Sequence, residues 1–522
     1  MAAIAVLGGG ISGLSTAWYL AQRLPRSVSV AVIEGSERLG GWVRTERRQA
    51  GGAEILAEKG PRTLRAGATR EALAVLELVD DLDLRDSVVT AARTSAAALN
   101  RFIYYDGSLN RMPSGVTSLL GGLPAAARCL PRGIWRDLTT RNAADGSDES
   151  VHDFIARRFG AAVDDNLASA VMHGIYAADS RDLSARALLY PFWLADRTGS
   201  TGVLRGLRRV ARLSRARSAV HALRDAEERL DQAQRRSRNP AFWDAVDAAS
   251  MYSFQGGMQT LTDRLAAALR ATPNVELITA QPAVAVRAPS PACAEITLAG
   301  GRTVRADHVI SALPLPSLAP LLGAAPSALA GATPYASVAV VNVAYASRRV
   351  TPVDGFGYLV PRASAAQSKA LGVVFDSRAL PPQDRGADVE RLTVMLGGSR
   401  FAELFGEPSS SSLAAIEDAA LLTLRDHLRI TQSPADVSVT VAPHCIPSYT
   451  VGYIDRLADM HAWVAQQLAG RLSVVGAAFG GPAVPQCVLH ARDLVLRNLR
   501  LDDLSAPQHV TGLEEIIKGF AL

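Results

Sequence analysis

Residues Ala3–Leu7 form an uninterrupted apolar run, as expected of a strand covered on both faces. After three glycines, Leu14, Ala17, Trp18 and Ala21 recur at helical spacing. A second largely apolar run, Val28–Ile33, ends at Glu34. Together they predict a strand–helix–strand unit opening an α/β fold with a parallel sheet. Farther along, Ser337–Val343 reads as a buried strand and 110–205 as mostly helical. Residues 203–238 differ: eleven arginines lie between Arg205 and Arg238, against Asp225, Glu227, Glu228 and Asp231. Leu204, Leu207 and Ala211 share a helical face there, so this segment reads either as a solvated insertion or as a basic amphipathic helix on an anionic membrane. No apolar stretch of about 18 residues occurs, so no spanning helix is expected. The first strand pattern begins at Ala3, so no cleavable signal is expected either.

Composition narrows the class. The 522 residues are 48% hydrophobic and 20% charged, values of a globular chain. The net charge of +5 is mild for this length. It admits an anionic ligand or membrane surface, and without a basic run broken by aromatics nucleic acid is not expected. Cys129, Cys293, Cys445 and Cys487 are widely spaced, with neither C-x-x-C nor H-E-x-x-H. Neither a disulfide framework nor a metal site is predicted.

The sharpest chemistry lies in the glycine turn. Gly8, Gly9, Gly10, Ile11, Ser12 and Gly13 satisfy G-x-G-x-x-G between a strand and a helix. Gly8 permits the tight turn, Gly10 lets the backbone approach a pyrophosphate, and Gly13 lets helix and strand close up. The helix N-terminus offers free N–H groups to phosphate. Glu34, about 20 residues beyond Gly13, suits a ribose diol and disfavours a 2′-phosphate. Gly35, Arg38, Gly40, Gly41 and Trp42 follow. This R-x-x-G-G segment resembles the second flavin fingerprint of the amine-oxidase-like FAD superfamily, although Trp42 stands where most relatives have Arg.

Further segments resemble one family within it, the oxygen-dependent protoporphyrinogen oxidases of mitochondrial type. They are Leu39–Trp42, Glu58–Arg62, Asn100–Tyr104, Gly174–Ser184 (with Ala178 for a glycine), Gln255–Leu261, Asp307–Pro314, Gly355–Pro361 and Val475–Val484 (with Pro482 as a departure). The matches run in order along nearly the whole chain except roughly 205–250.

The resemblance implies six-electron oxidation of protoporphyrinogen IX to protoporphyrin IX through non-covalent FAD, which dioxygen reoxidises to H2O2. It implies that Lys59, Gly60, Pro61 and Arg62, with Arg38 and Gly40–Trp42, line the path to the isoalloxazine. Ala283 would meet the adenine end, and Ala477, Pro482, Ala483 and Val484 the flavin. Arg101 would hold a substrate propionate, a bidentate match for guanidinium. Phe356, Leu359 and Phe375 would wall the macrocycle, and Gly174 and Ile175 would bring backbone close to it. Met395 reads as core that could pad the pocket. No residue stands out as a general base, none is assigned, and His173 reads as structural.

The expected architecture interleaves three units. A Rossmann-like FAD-binding domain takes 1–85, 250–320 and 441–522, and a mixed-sheet substrate domain takes 86–110 and 321–440. A helical membrane-contact domain takes 111–205, and 206–249 forms a basic insertion. By resemblance the protein sits peripherally on the mitochondrial inner membrane, facing the intermembrane space. A homodimer and a contact with the next haem-pathway enzyme stay open. The competing readings are another FAD-dependent amine oxidase or desaturase, and a flavin-free binding protein like the Rab escort and GDP-dissociation-inhibitor proteins.

Overall fold

The computed structural model describes residues 2–113, 122–143, 146–198, 202–203, 206–207, 222–290, 293–323, 333–501, 503–504 and 506–520. Two sheets organise it. The first is five-stranded and wholly parallel, in the order Val275–Ile278, Ser29–Ile33, Ala3–Leu7, His308–Ser311, Leu472–Val474. Its central strand Ala3–Leu7 is almost fully buried, which explains its unbroken apolar run. The helix Ile11–Arg23 packs on one face through Leu14, Ala17 and Leu20. Leu472, Val474 and the helix Tyr453–Gln466 contribute to the core on the other.

The second sheet is seven-stranded and mixed. Its order is Asp436–Pro447, Tyr335–Tyr345, Glu390–Gly398, Ala370–Val374, Gly357–Leu359, Arg101–Tyr105, Ser108–Arg111. All neighbours are antiparallel except Gly357–Leu359 against Arg101–Tyr105. The helix Leu413–Leu428 covers one face. The opposite face, carrying Val338, Val340 and Leu371, is turned toward the first sheet's glycine turns across a cavity.

Helices Leu130–Thr139, Val151–Phe159 and Ser169–Tyr176 form a third body. Its interior holds Arg158 against Asp137 at 2.6 Å and Asp196 at 3.2 Å, all with fully buried side chains. Deleting one partner of such a buried pair costs about 3–5 kcal/mol. The last of these helices reaches the cavity. A π-helical turn, Asp164–Ala168, precedes it, and Ala177 ends it in the left-handed region.

Of the basic segment, Leu204, Arg205 and Ala211 lie outside the described residues, while Leu207 packs against Phe154 and Trp193. The helix Ala222–Arg238 lies on the nucleotide-fold side, where Arg235 meets Asp81 at 2.5 Å and Gln232 donates to Glu77 at 2.5 Å.

Candidate active site

The glycine turn has the shape its sequence requires. Gly8 takes φ +97°, and a Cβ on Gly13 would stand 1.9 Å from the Gly8 carbonyl oxygen, so no side chain fits there. The two glycine segments are zipped together. Gly40 N donates to Gly9 O at 2.8 Å, and a Cβ on Gly41 would lie 3.1 Å from Gly10 Cα. Behind them, Glu34 accepts from Gly9 N at 2.7 Å and from Ser36 N at 2.9 Å. The helix Ile11–Arg23 starts at Gly10 with neither a side-chain cap nor a first-turn acid, which leaves its N–H groups and dipole for an anion.

A cavity of about 460 Å³ runs from this turn to the second sheet. Gly8, Gly10, Ile11, Ser12, Glu34, Gly41, Trp42, Lys59, Gly60, Pro61, Ala477, Pro482, Ala483 and Val484 all line it, as do Gly174 and Ile175. Gly60 abuts the Trp42 carbonyl so closely that a Cβ would lie 2.1 Å from it, and Trp42 is left 47% exposed toward the cavity. Lys59 donates to Asn342 at 3.2 Å and Ser438 at 2.5 Å and meets Glu46 at 3.2 Å, tying its loop to the second sheet. Burial pulls its ammonium below the usual lysine range, against the opposing pull of Glu46. The helix Val484–Asp493 opens on the cavity with no side-chain cap from Ala483, whose own N–H donates to Gln486 Oε1 at 3.1 Å.

Other candidates fall behind the lining. Gly9 and Gly40 sit within the zipped loops, Gly35 packs on Pro282, and Ala283 begins the strand that follows, beside the Glu34–Ser36 turn. Arg38 does not line the cavity. With Gly40 and Gly41 both at positive φ, the loop turns the Leu39, Gly41 and Val43 carbonyls toward Arg38, and the guanidinium donates to Leu39 O at 2.9 Å, Val43 O at 3.1 Å and Gly41 O. It shapes the loop. Arg62 is likewise withdrawn, buried against Asp376 at 3.3 Å.

Phe375 is no wall of the cavity. It is fully buried and meets Tyr358 edge-on at 6.2 Å in the core behind the second sheet. The cause is a bulge: Ala370 pairs Leu396 and Gly372 pairs Met395, so Leu371 is the extra residue. Leu371 faces the cavity, while Val373 and Phe375 fall on the core side. Leu359 lies one layer back, where a Cβ on Gly174 would meet its Cδ2 at 2.4 Å. Arg101 and Phe356 are also outside the lining. Arg101 is exposed and stands 5.9 Å over the Phe356 ring, and Phe356 packs on Ala91, Met251 and Leu380.

Several lining residues went unforeseen: Val338, Val340, Leu371, His444, Cys445 and Cys487. Met395, read as core, lines the cavity too. His444 adopts φ +47° where the strand Asp436–Pro447 shifts register. Its neighbour Pro443 was the available signal, because proline within a strand marks an edge or a bulge. His173 lines the cavity as well and bonds Val360 O through Nδ1 at 3.1 Å. A separate group, His152, Asp164 and Asp165, has ligand spacing. The Arg362 guanidinium stands among them, 3.1 Å from His152 Nδ1 and 2.6 Å from Asp165, and already supplies a cation.

The cradle fits a dinucleotide carrying a flat ring. Cβ atoms are excluded at Gly13 and Gly60, the Glu34 carboxylate lines the cavity beside the glycine turn, and the helices Ile11–Arg23 and Val484–Asp493 both begin at the cavity. Comparison with known proteins agrees. The model of the flavin containing amine oxidoreductases matches residues 11–492. A protoporphyrinogen oxidase of Bos taurus is 35% identical, covering 95% of this chain and 98% of its own. One of Schizosaccharomyces pombe is 31% identical, covering 93% and 96%. A solved structure described as a putative protoporphyrinogen oxidase from Exiguobacterium shares the fold at TM-score 0.72 and 20% identity, covering 95% of this chain and 98% of its own. On this sequence similarity and this cradle, the chain belongs to the protoporphyrinogen oxidase family of flavin containing amine oxidoreductases, and its cofactor is FAD.

Proposed function

We propose that this protein oxidises protoporphyrinogen IX to protoporphyrin IX in haem biosynthesis, with dioxygen as terminal oxidant and H2O2 as by-product. The observation that carries the reading is one continuous cavity joining the glycine cradle to an apolar sheet face. Bound FAD supplies the hydride acceptor. The chain's residues bind, orient and shield. Gly8–Gly13, Glu34 and the N-terminus of Ile11–Arg23 hold the ADP half. Trp42, Gly60 and Pro61 fix the ring's edge. The N-terminus of Val484–Asp493 would offer positive potential to the negative charge of a reduced ring. Val338, Val340, Leu371 and Met395 form a dry apolar wall suited to a macrocycle.

Arg101 receives a propionate from outside this wall. No carboxylate pairs with it among the described residues, and partial desolvation of its guanidinium together with the neighbouring Arg65 lowers its pKa, so an arriving anion relieves repulsion between two guanidinium groups. The lining itself contains no arginine, which suits a substrate whose carboxylates point out of the cavity.

Among the described residues no helix is long and apolar enough to cross a membrane. The helix Leu130–Thr139 leaves Ile134 44% and Trp135 70% exposed beside Arg132 and Arg136, which supports peripheral contact with an anionic bilayer. Placement on the mitochondrial inner membrane facing the intermembrane space, a homodimer, and contact with the next haem-pathway enzyme extend this reading by resemblance.

Aerobic incubation of the flavin-loaded protein with protoporphyrinogen should produce porphyrin fluorescence. A yellow protein that forms none refutes the proposal. Arg101→Ala should raise KM by the equivalent of about 1–3 kcal/mol with flavin content unchanged, and an unaltered KM would reject the propionate contact.

A further inference from the structure

Oxidation of a porphyrinogen removes a proton for every hydride, and no base has so far been assigned. His173 has the required placement. It stands in the last turn of the helix Ser169–Tyr176 and lines the cavity next to Gly174. Its Nδ1 lies 3.1 Å from the Val360 carbonyl oxygen. A carbonyl only accepts, so Nδ1 carries the hydrogen and Nε2 keeps its lone pair. Nε2 has no protein partner among the described residues.

Two devices hold this ring in place. Arg362, two residues beyond Val360, donates its backbone N–H to Ser169 Oγ at 3.0 Å and pairs with Asp165 at 2.6 Å and Asp179 at 2.8 Å. Leu359 seats against Gly174. The strand end that fixes the tautomer is therefore locked to the helix that carries the imidazole.

The electrostatics suit a base that is neutral at rest. Burial lowers the imidazole pKa, opposed by the Val360 bond and Asp179 and assisted by Arg362 and Arg400. Once protonated, the ring lies near the negative end of its helix, which favours the cation.

We propose that His173 Nε2 accepts the pyrrole N–H proton of the bound porphyrinogen, an inference that rests on the substrate assignment above. In each two-electron step a bridging carbon loses a hydride to the flavin. The adjacent N–H bond breaks, its electron pair remains on the macrocycle to form the C=N bond, and the proton moves to Nε2; after the third step a proton shifts from the remaining CH2 bridge to a pyrrole nitrogen, which leaves four methine bridges and two N–H groups. Dioxygen would reoxidise the reduced cofactor, taking up two electrons and two protons as H2O2, one proton from the reduced ring and one that the imidazolium releases as it returns to neutrality.

The test is anaerobic stopped-flow reduction of the flavin-loaded enzyme by protoporphyrinogen. His173→Gln should retain flavin and reduce at least about 100-fold more slowly, losing the acidic limb of the wild-type pH profile, which lies below the ordinary imidazole value. His173→Ala should be partly rescued by added imidazole. Reduction of His173→Gln within about twofold of wild type overturns the assignment. So does a slow His173→Ala that imidazole does not restore while His173→Gln keeps the acidic limb, because that pattern marks a structural role. Failure of wild type itself to be reduced refutes the substrate reading instead.

Discussion

Single residues in this molecule are read correctly only together with their partners. Glu58 directly precedes Lys59, yet it turns away from the cavity. It is 3% exposed and accepts from Met258 N at 2.8 Å and Thr45 Oγ1 at 2.8 Å. Burial pushes its carboxyl from 4.5 up to about 7, against those two donors and Arg62. The folded state therefore holds the proton more tightly than the unfolded chain does. The associated stability is complete below pH 4.5 and is lost as pH rises through about 7. Glu58→Gln keeps an acceptor for Met258 N without the charge. Measured by denaturant titration, the variant should gain on wild type by about 3 kcal/mol between acid and pH 8. A difference independent of pH would show that Glu58 is already ionised in the fold. Arg38, Arg62 and Arg101 teach the same lesson. Their side-chain type fits an anion site, but only the folded loop shows that inward carbonyls claim Arg38 and that Asp376 claims Arg62.

At the scale of elements, the helix Val484–Asp493 begins with alanine at a position where Ser, Thr, Asp or Asn would stabilise it. Gln486 accepts from Ala483 N at 3.1 Å and Pro485 has no N–H, so the N–H groups of Val484 and Gln486 are left for a bound ring. Ala483→Asp should raise the melting temperature of the flavin-free protein, since capping adds about 0.5–2 kcal/mol. The same carboxylate should lower flavin retention, because it sets negative charge at the ring's pyrimidine end. Equal flavin content in variant and wild type would show that this terminus does not serve the cofactor. The elements differed in how plainly the sequence announced them. The opening strand, glycine turn and helix are contiguous, and glycine spacing carries direct steric meaning, so the tight turn at Gly8 and the close packing at Gly13 are legible in the amino-acid sequence alone. The apolar wall is not. Val338, Val340, Leu371 and Met395 sit in strands apolar on both faces, and such strands look alike whether a face meets core or cavity. One bulge at Leu371 then reversed the side on which Phe375 was expected.

At the scale of the whole molecule, the basic segment bears on the same site from behind. From Glu228 onward the helix Ala222–Arg238 offers little apolar surface, and its Leu230 is 62% exposed. It is held instead by charge. Glu228 gathers Arg492 at 3.4 Å, Arg70 at 3.7 Å and Arg497, while Arg235 meets Asp81 at 2.5 Å and Asp231 at 2.8 Å. Arg492 belongs to the helix that starts at the cavity, and it also meets Glu77 at 3.2 Å. The insertion thus braces the closing helix at the end remote from the cavity. Because this contact is ionic and part-exposed, salt should weaken it. Limited trypsin digestion should show slow cleavage at Arg229, Arg235 and Arg236 in wild type at low salt, rising several-fold at about 1 M, where screening is nearly complete. Glu228→Gln should be cleaved quickly at low salt and respond little to added salt, because the acid shared by three arginines is gone. Flavin content should stay at the wild-type level in the intact variant, since Arg492 keeps Glu77. If Glu228→Gln resists trypsin as wild type does, Arg235 and its carboxylates hold the helix without help. Arg235→Glu, which reverses the remaining anchor, should then release it.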